Sequence, residues 1–190
     1  MKIRSTAVGA AAVAAALTAT LGPHPIARAS AHPATRWSAT WASAMQSPVP
    51  GNDATGPNWS DGFSDQTVRQ VIRVSTGGSQ VRVRLSNLYG TKPLQVTGAT
   101  IARTRYGATV EPGTVRSLTF HGARSTTIQT GRVAASDPAA LPVSALESLT
   151  VTLFFAGSTG PSTFHEDGLT FSYRATGDHR FDTGAAAFAN

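Results

Sequence analysis

Alternation of apolar and polar residues is the sequence feature that most constrains the fold of this chain. The clearest case sets Val81, Val83 and Leu85 against Arg82, Arg84 and Ser86. Residues 149–155 (LTVTLFF) and 169–174 (LTFSYR) repeat the pattern. A period of two residues is typical of a β-strand with one buried face. No sustained apolar repeat of helical period follows the first 29 residues, so the patterning favours a fold built from strands.

The stretch 65–90 contains two such strand patterns on either side of Gly77-Gly78. The first, at 68–74, places apolar side chains on both faces, which predicts a strand that is covered on much of both sides. Glycine tolerates the positive φ angles that a tight hairpin connection requires. The sequence therefore predicts a β-hairpin that turns at these two glycines.

Further short extended segments are separated by turns rich in glycine and proline. Residues 36–42 predict a first strand, 149–155 a central strand, and 94–103 a strand in which Gly98 marks a bulge or a close backbone approach. Repeated breakers make 46–64 a long loop. About eight short strands of this kind predict an all-β fold, an antiparallel β-sandwich or jelly roll.

The first 29 residues have the pattern of a secretory signal peptide. Lys2 and Arg4 precede an alanine-rich apolar run, and residues 27–29 (Ala-Arg-Ala) match an A-x-A cleavage site. A membrane anchor is the alternative, but the run is shorter than the roughly 20 apolar residues that a span needs. We expect export, cleavage after Ala29 and no membrane association of the mature protein.

The mature chain is expected to form a single domain. Its predicted parts are a flexible start at 30–35, the β-sandwich at 36–181 and a disordered tail at 182–190, where periodicity is lost and alanines accumulate. The chain contains no cysteine, so neither disulfides nor thiolate metal sites can form. An exported domain of this composition depends on its core alone.

The basic excess of the chain does not indicate a nucleic-acid partner. The leader carries three of the 16 Lys and Arg residues and none of the 10 acidic residues, which leaves a mature net charge of about +3. The arginines are spread along strands, without a strongly basic run. Those at 69, 73, 82 and 84 could line one sheet face and meet an acidic polymer or partner domain, or form a solvated or salt-bridged face.

Side chains suited to catalysis or metal binding are few. The chain has no G-x-S-x-G and no Gly-Asp-Ser block, and in Gly177-Asp178-His179 a histidine stands where a nucleophilic serine would be needed. His165, Glu166 and Asp167 could join this block as metal ligands, but adjacent residues of an extended segment point to opposite sides. A calcium ion held by loop oxygens is an open alternative. We predict no catalytic residue, no metal ligand and no cofactor.

Four residues remain as candidates for contacts with a ligand or another domain. Trp59, the large aromatic residue of the long loop, could stack on a sugar ring, or it could pin the loop to the domain. His165, Asp178 and His179 are candidates for an interdomain contact, and the alternative is that they are solvated loop charges.

Several blocks, in order, resemble the N-terminal β-domain of secreted actinobacterial SGNH (GDSL-type) esterases. They are RWSATWA (36–42), FSDQTVRQ (63–70), VRVRLSNLYG (81–90), SDP (136–138), GPSTFH (160–165) and GDH (177–179). The resemblance covers roughly 36–181, nearly the whole mature chain.

The resemblance implies a two-part secreted enzyme in which a β-sandwich precedes an α/β catalytic domain. That second domain would carry the serine nucleophile, the oxyanion-hole glycine and asparagine, and the Asp-His pair, and would hydrolyse carboxylic esters such as acetylated sugars. The present sequence stops soon after the GDH block, before a Gly-Asp-Ser block, so no catalytic residue of the family is carried over. We expect a truncated or split hydrolase whose catalytic domain is its partner. The alternative is a stand-alone carbohydrate-binding module.

Overall fold

The computed structural model describes residues 36–51, 58–165 and 170–188. The predicted signal peptide (1–29) and flexible mature start (30–35) lie outside these ranges. The chain divides after Trp37, and the unit from Ser38 onward contains every described helix and strand.

Twelve short strands and one short helix make up the described part of the chain. The helix α1 is Asn58–Asp61, and the strands are β1 Gln66–Arg73, β2 Gly78–Val81, β3 Arg84–Asn87, β4 Leu94–Val96, β5 Gly98–Tyr106, β6 Thr109–Val110, β7 Arg116–Leu118, β8 Thr126–Ile128, β9 Arg132–Ala135, β10 Ala139–Val143, β11 Ser148–Phe155 and β12 Ser172–Thr176. Every strand pair is antiparallel. The predicted all-β antiparallel fold is therefore confirmed. Within the described ranges, no helix is long and apolar enough to cross a bilayer.

One large sheet organises the molecule. Its strands run in the order β12, β1, β11, β5, with β6 and β7 both paired to β5. The strand β11 lies between β1 and β5 and is buried along seven of its eight residues. The prediction of a central strand at 149–155 is thus confirmed. The apolar Phe154 on the second face of this strand is buried because the sheet is covered on both sides.

The core lies on one face of this sheet. Val68, Ile101, Leu149, Val151 and Leu153 point to that face and are almost fully buried. Opposite them pack three two-stranded ladders, formed by β2 with β10, β3 with β9, and β4 with β8. Each ladder is too small to be stable alone, so its stability depends on burial against the large sheet.

The other face of the large sheet is lined by small and polar side chains, yet it is also buried. Thr67, Arg69, Thr100, Thr150 and Thr152 are all at most 2% exposed. They are covered by residues 177–188, which follow β12 and which we call the C-terminal segment. Its contacts include Thr100 Oγ1 to Arg180 O (3.0 Å), Thr67 Oγ1 to Gly177 O (2.6 Å) and Val110 N to Thr183 O (2.9 Å).

The predicted hairpin at 65–90 is wrong. The strand β1 pairs with β11 and β12, whereas β2 pairs with β10, so the two arms belong to different sheets. After β1, Val74 N bonds to Glu147 O at 3.0 Å and Leu146 N bonds to Val74 O at 2.8 Å, which leads the chain along 144–147 and away from β1. Neither glycine has a positive φ angle. A Cβ on Gly77 would lie 2.5 Å from Val143 O, so this glycine allows a close backbone approach to β10 as the chain enters β2.

Two other segments differ from their sequence-based descriptions. Residues 36–42 form no regular strand, because Thr40 instead binds the turn after β1: its carbonyl accepts from Ser75 N at 2.9 Å and its hydroxyl from Thr76 N at 2.9 Å. Residues 182–188, expected to be a disordered tail, are described here as part of the cover on the large sheet, while 189–190 lie outside the described residues. The strand expected at 94–103 is divided at Thr97 into β4 and β5.

Candidate functional site

The four residues singled out from the sequence follow or precede strands at one end of the large sheet. At this end β1 and β5 begin while β11 and β12 end, as the pairs Gln66 with Phe155, Phe154 with Gly98, and Gln66 with Thr176 show. Trp59 precedes β1, His165 follows β11, and Asp178 and His179 follow β12. We call this part of the molecule the loop end.

A framework of hydrogen bonds fixes the loops there. Asn87, 4% exposed, donates through Nδ2 to Lys92 O and to Ile128 O, both at 2.9 Å. Gly90 is needed beside it, because a Cβ at that position would lie 1.8 Å from Asn87 Oδ1. A satisfied buried amide of this kind rigidifies the backbone around it. Nothing in the sequence indicates that Asn87 and Gly90 form this framework, apart from their presence in the block 81–90.

The same framework presents apolar side chains to solvent. Tyr89 N donates to Thr163 Oγ1 at 2.9 Å, and Gln46 and Phe164 are joined by a bridge of two backbone hydrogen bonds. On this support Trp41, Leu88 and Tyr89 each remain at least 40% exposed. The imidazole of His165 meets the Trp41 ring edge-on, with 5.9 Å between the ring centroids. We call Trp41, Leu88, Tyr89 and His165 the loop-end surface.

The backbone of Trp59 lies near this surface. It belongs to α1, which ends at Asp61, and the next residue, Gly62, has a φ angle of 74°. A Cβ on Gly62 would lie 1.8 Å from Gly160 O, so the chain after α1 packs tightly against the loop that follows β11. The side chain of Trp59 is outside the described part, so its stacking role stays a prediction.

Asp178 and His179, by contrast, are engaged by partners within the chain. Asp178 accepts from Arg180 Nε at 2.8 Å and from Arg180 Nη2 at 2.6 Å, and these bonds hold the pKa of Asp178 below its ordinary value. The guanidinium they position lies over Gly98, where a Cβ would be 1.4 Å from Arg180 Nη1. The close approach predicted at Gly98 is therefore confirmed, and its partner is the C-terminal segment.

His179 is held between two acceptors. Its Nδ1 lies 2.7 Å from Asp182 Oδ2 and its Nε2 lies 2.9 Å from Thr176 O. The hydrogen bond to Asp182, assisted by the Thr176 carbonyl, raises the pKa of His179 above its ordinary value. Because both ring nitrogens face oxygen acceptors, this geometry favours the doubly protonated imidazolium. The roles of Asp178 and His179 in the described structure are thus to fasten the C-terminal segment.

Arg69 is the central residue that holds the C-terminal segment in place, and this role was not predicted from the sequence. Its Nη1 donates to Ala108 O at 2.6 Å and to Gly184 O at 3.0 Å, and its Nη2 donates to the carbonyls of His179 and Asp182. Its guanidinium carbon lies 3.9 Å from the centre of the Phe188 ring. Burial lowers the pKa of Arg69 to about 10, so the group stays charged at neutral pH.

The arginines considered for an acidic partner therefore do not act as one surface. Arg69 is fully buried, and Arg73 donates from Nε to Leu146 O at 2.9 Å. Arg82 and Arg84 lie beyond the large sheet, at the end of β2 and in β3. An arginine face that spans these four positions is wrong, because they belong to different layers.

Within 36–51, 58–165 and 170–188, no three His, Asp or Glu side chains are grouped so that they could hold a metal ion. Glu166 and Asp167, considered as ligands together with His165, lie outside these ranges. Neither the models of protein families nor the sequences of curated proteins gave a match to this chain.

Proposed function

We propose that this chain is the non-catalytic β-sandwich part of a secreted SGNH-type carboxylic-ester hydrolase, and that its loop-end surface packs against the catalytic domain. One observation carries the proposal: the side chains of this surface, of which Trp41, Leu88 and Tyr89 are exposed, come from three separate blocks of the resemblance. Trp41 belongs to the block at 36–42, Leu88 and Tyr89 to 81–90, and His165 to 160–165. Segments that are far apart in sequence thus contribute to one face.

The chemistry of this surface supports a protein partner. Aromatic side chains are enriched at the buried centres of interfaces, and apolar groups on a rigid polar framework lose little conformational entropy when they are covered. Here the framework consists of the buried Asn87 amide and the bonds from Tyr89 to Thr163 and from Gln46 to Phe164. The edge-on contact between Trp41 and His165 likewise restrains the ring before any partner arrives.

The ester-hydrolase reaction belongs, in this proposal, to the partner domain. The β-sandwich would orient that domain and could narrow access to its active site from one side. Export by the predicted leader would place the assembly outside the cell. When the full chain is produced in an exporting host, the secreted form should begin at Ser30 by intact-mass measurement; a product that keeps residues 1–29 would contradict the predicted cleavage.

The docking role is tested by joining the chain to an SGNH catalytic domain taken from an esterase of the two-part architecture. We expect the catalytic domain to unfold at a higher temperature when joined than when alone. Trp41→Ala and Tyr89→Ala should remove most of that gain, because each deletes an aromatic anchor. Tyr106→Ala removes an aromatic side chain that is still more exposed and lies outside the loop-end surface, so it is the matched control and should retain the gain.

A gain that survives both loop-end substitutions, or no gain at all, would count against docking through this surface. The non-catalytic assignment has its own assay. The chain alone should release no p-nitrophenol from p-nitrophenyl acetate above a heat-denatured sample. Hydrolysis that scales with the amount of folded protein would overturn that assignment.

A further inference from the structure

A second group of exposed aromatic side chains lies at the opposite end of the large sheet. There β5 ends at Tyr106, and the pair Arg73 with Ser148 marks the other end of β1 and β11. An open cleft of about 610 Å³ lies between these strands and the start of β12. We call it the aromatic cleft, and the lining residues used below are Thr104, Arg105, Tyr106, Ser148, Phe171 and Tyr173.

Aromatic rings line the cleft. Tyr106 and Phe171 are 67% and 66% exposed, more than any other aromatic side chain in the described part of the chain. Tyr173 is buried at 9%, and its ring centroid lies 6.4 Å from that of Phe171 at an interplanar angle of 44°. Two large rings left in water beside a third that is anchored in the sheet offer apolar faces for a ligand to cover.

Polar groups complete the lining. Thr104 Oγ1 lies 2.8 Å from Thr150 Oγ1, so each of these two hydroxyls has a partner within the sheet. Ser148 contributes another hydroxyl to the lining, and Arg105 adds an exposed guanidinium that makes no salt bridge to any described residue. The cleft therefore presents stacking surfaces together with donors and acceptors.

The lining is carried by ordered elements. The turn between β5 and β6 has Gly107 at φ 52°, and a Cβ there would lie 3.5 Å from the Tyr173 hydroxyl. Val110 N, in β6, donates to Thr183 O at 2.9 Å, which ties this edge of the sheet to the C-terminal segment. A ligand that enters the cleft would meet side chains on a fixed backbone, so binding would require little reorganisation of the protein.

We propose that the aromatic cleft binds a saccharide, with a pyranose ring stacked on Tyr106 or Phe171 and its hydroxyl groups bonded to Ser148 and Arg105. A sugar ring has an apolar face of C–H groups and a rim of hydroxyls, which matches stacking surfaces beside polar groups. A wholly apolar ligand fits less well, because the cleft is open to water and mixed in polarity. Its volume lies within the range of roughly 300 to 1,000 Å³ that is typical of small-molecule sites.

This inference goes beyond the proposed function and does not depend on it. The lining of the aromatic cleft shares no residue with the loop-end surface and includes neither Trp41 nor Trp59. Loss of docking to a catalytic domain would leave saccharide binding intact. Loss of saccharide binding would likewise leave docking to a catalytic domain intact.

The test is the affinity of the full chain for soluble oligosaccharides, measured by calorimetry with cellohexaose, xylohexaose, chitohexaose and a galacturonate hexamer. We expect at least one of them to bind. Tyr106→Ala and Phe171→Ala should each weaken that binding about tenfold, the loss that corresponds to one stacking contact of about 1.4 kcal/mol. Tyr89→Ala, an exposed aromatic change at the loop end, is the matched control and should bind like the unaltered chain.

Arg105→Gln provides a second kind of variant. Because position 105 is exposed, this substitution should not unfold the protein, so a loss of binding would not be due to misfolding. Arg105→Gln should weaken the uncharged sugars a few-fold and the galacturonate hexamer more strongly, because a guanidinium bonds more strongly to a carboxylate than to a hydroxyl. Melting curves establish that each variant is folded. The proposal is overturned if none of the four oligosaccharides binds. It is also overturned if folded Tyr106→Ala, Phe171→Ala and Arg105→Gln chains all bind like the unaltered chain, or if only Tyr89→Ala loses binding.

Discussion

Arg69 shows how one residue can determine what covers a sheet. A buried cation usually has a carboxylate partner, but both terminal nitrogens of Arg69 donate to main-chain carbonyls from two separate parts of the chain, while its buried Nε has no hydrogen-bond partner among the described residues. Ala108 belongs to the β5–β6 turn, whereas His179, Asp182 and Gly184 belong to the C-terminal segment. The bond to Ala108 is buried and the other three are partly buried, so removing the donor leaves several shielded acceptors without a protein partner.

We therefore expect Arg69→Met to be strongly destabilising even though methionine is apolar and of similar length. The loss in the free energy of unfolding should be about 3 kcal/mol, as is typical when one member of a buried charged network is removed. Urea denaturation measures it. Arg105→Met, at an exposed position, should stay within about 0.5 kcal/mol of the unaltered chain. A loss at position 69 as small as at position 105 would contradict the role assigned to Arg69.

His179 should make stability depend on pH. Its pKa is raised in the folded protein by the hydrogen bond to Asp182, with a further contribution from the charge of Asp178. Its contribution is therefore fully present below the ordinary histidine pKa of about 6.5 and is lost as the pH rises through the raised folded value. Because the pair is partly exposed, the change should be below about 1 kcal/mol.

The measurement is the free energy of unfolding at pH 5.5 and pH 8.5. Asp182→Asn keeps the side-chain shape but removes the charge, so the difference between the two pH values should shrink in this variant. Asp137, which accepts from Gly122 N and Thr119 Oγ1, has a lowered pKa and contributes only at the acidic end, where stability falls as the carboxylate is protonated. A pH dependence that is unchanged in Asp182→Asn would show that His179 is not its source.

At the scale of elements, the decisive event is the departure of the chain from the large sheet after β1. Gly77 allows the chain to pass Val143 O, and β2 then joins β10 in the opposite layer. The two arms of the stretch 65–90 thus hold the two layers together rather than lying side by side.

Adjacent glycines provide a sharp test of this crossing. Gly77→Ala places a Cβ 2.5 Å from a backbone oxygen and should destabilise the protein by about 1 to 3 kcal/mol. A Cβ on Gly78 would meet only Gln80 O at 3.7 Å, so Gly78→Ala should change stability by less than about 0.5 kcal/mol. Thermal melts of the two variants decide the matter. Equal effects at both positions would contradict the close approach at Gly77.

The strands could be predicted from sequence better than their partners. Alternation at 149–155 correctly indicated β11, and the apolar Phe154 on its second face correctly indicated that the strand is covered on both sides. The Gly77-Gly78 pair misled, since a double glycine has the same local pattern whether it turns a hairpin or allows a crossing.

The candidate site shows the same limit. Arg69 sits in an alternation that is compatible with a solvated face, and only the covering segment, more than 100 positions later, makes it buried. Likewise, the GDH block gave no indication of the ion pair of Asp178 with Arg180 or of the bonds of His179, which are made within the chain. Local sequence cannot distinguish these cases, because the deciding partner lies elsewhere in the chain.

At the scale of the whole molecule, the fold has three tiers. The small ladders lie on one face of the large sheet and the C-terminal segment lies on the other. The first contact is apolar and the second is largely polar, built from threonines, one arginine and backbone carbonyls. The two faces of the sheet are thus stabilised by different physical interactions.

Removing the C-terminal segment should therefore unfold the protein, and adding the segment back as a separate peptide should restore the fold. A chain that ends at Thr176 is expected to lose cooperative thermal unfolding, because Thr67, Arg69 and Thr152 would be exposed and the bonds to Arg69 lost. A synthetic peptide of residues 177–190 should restore the transition, and a peptide of the same composition in scrambled order should not. A shortened chain that melts like the full one would contradict the role of the segment.

The late position of the segment also ties folding to the timing of synthesis. Arg69 is added to the growing chain more than 100 residues before Asp182 and Gly184, whose carbonyls it binds. During that interval one side of the central sheet has no cover, and its longest-range hydrogen bonds cannot form. The nascent chain must therefore remain short of its native state until residues 177–188 have been added, and its protease sensitivity should fall only when this segment emerges from the ribosome.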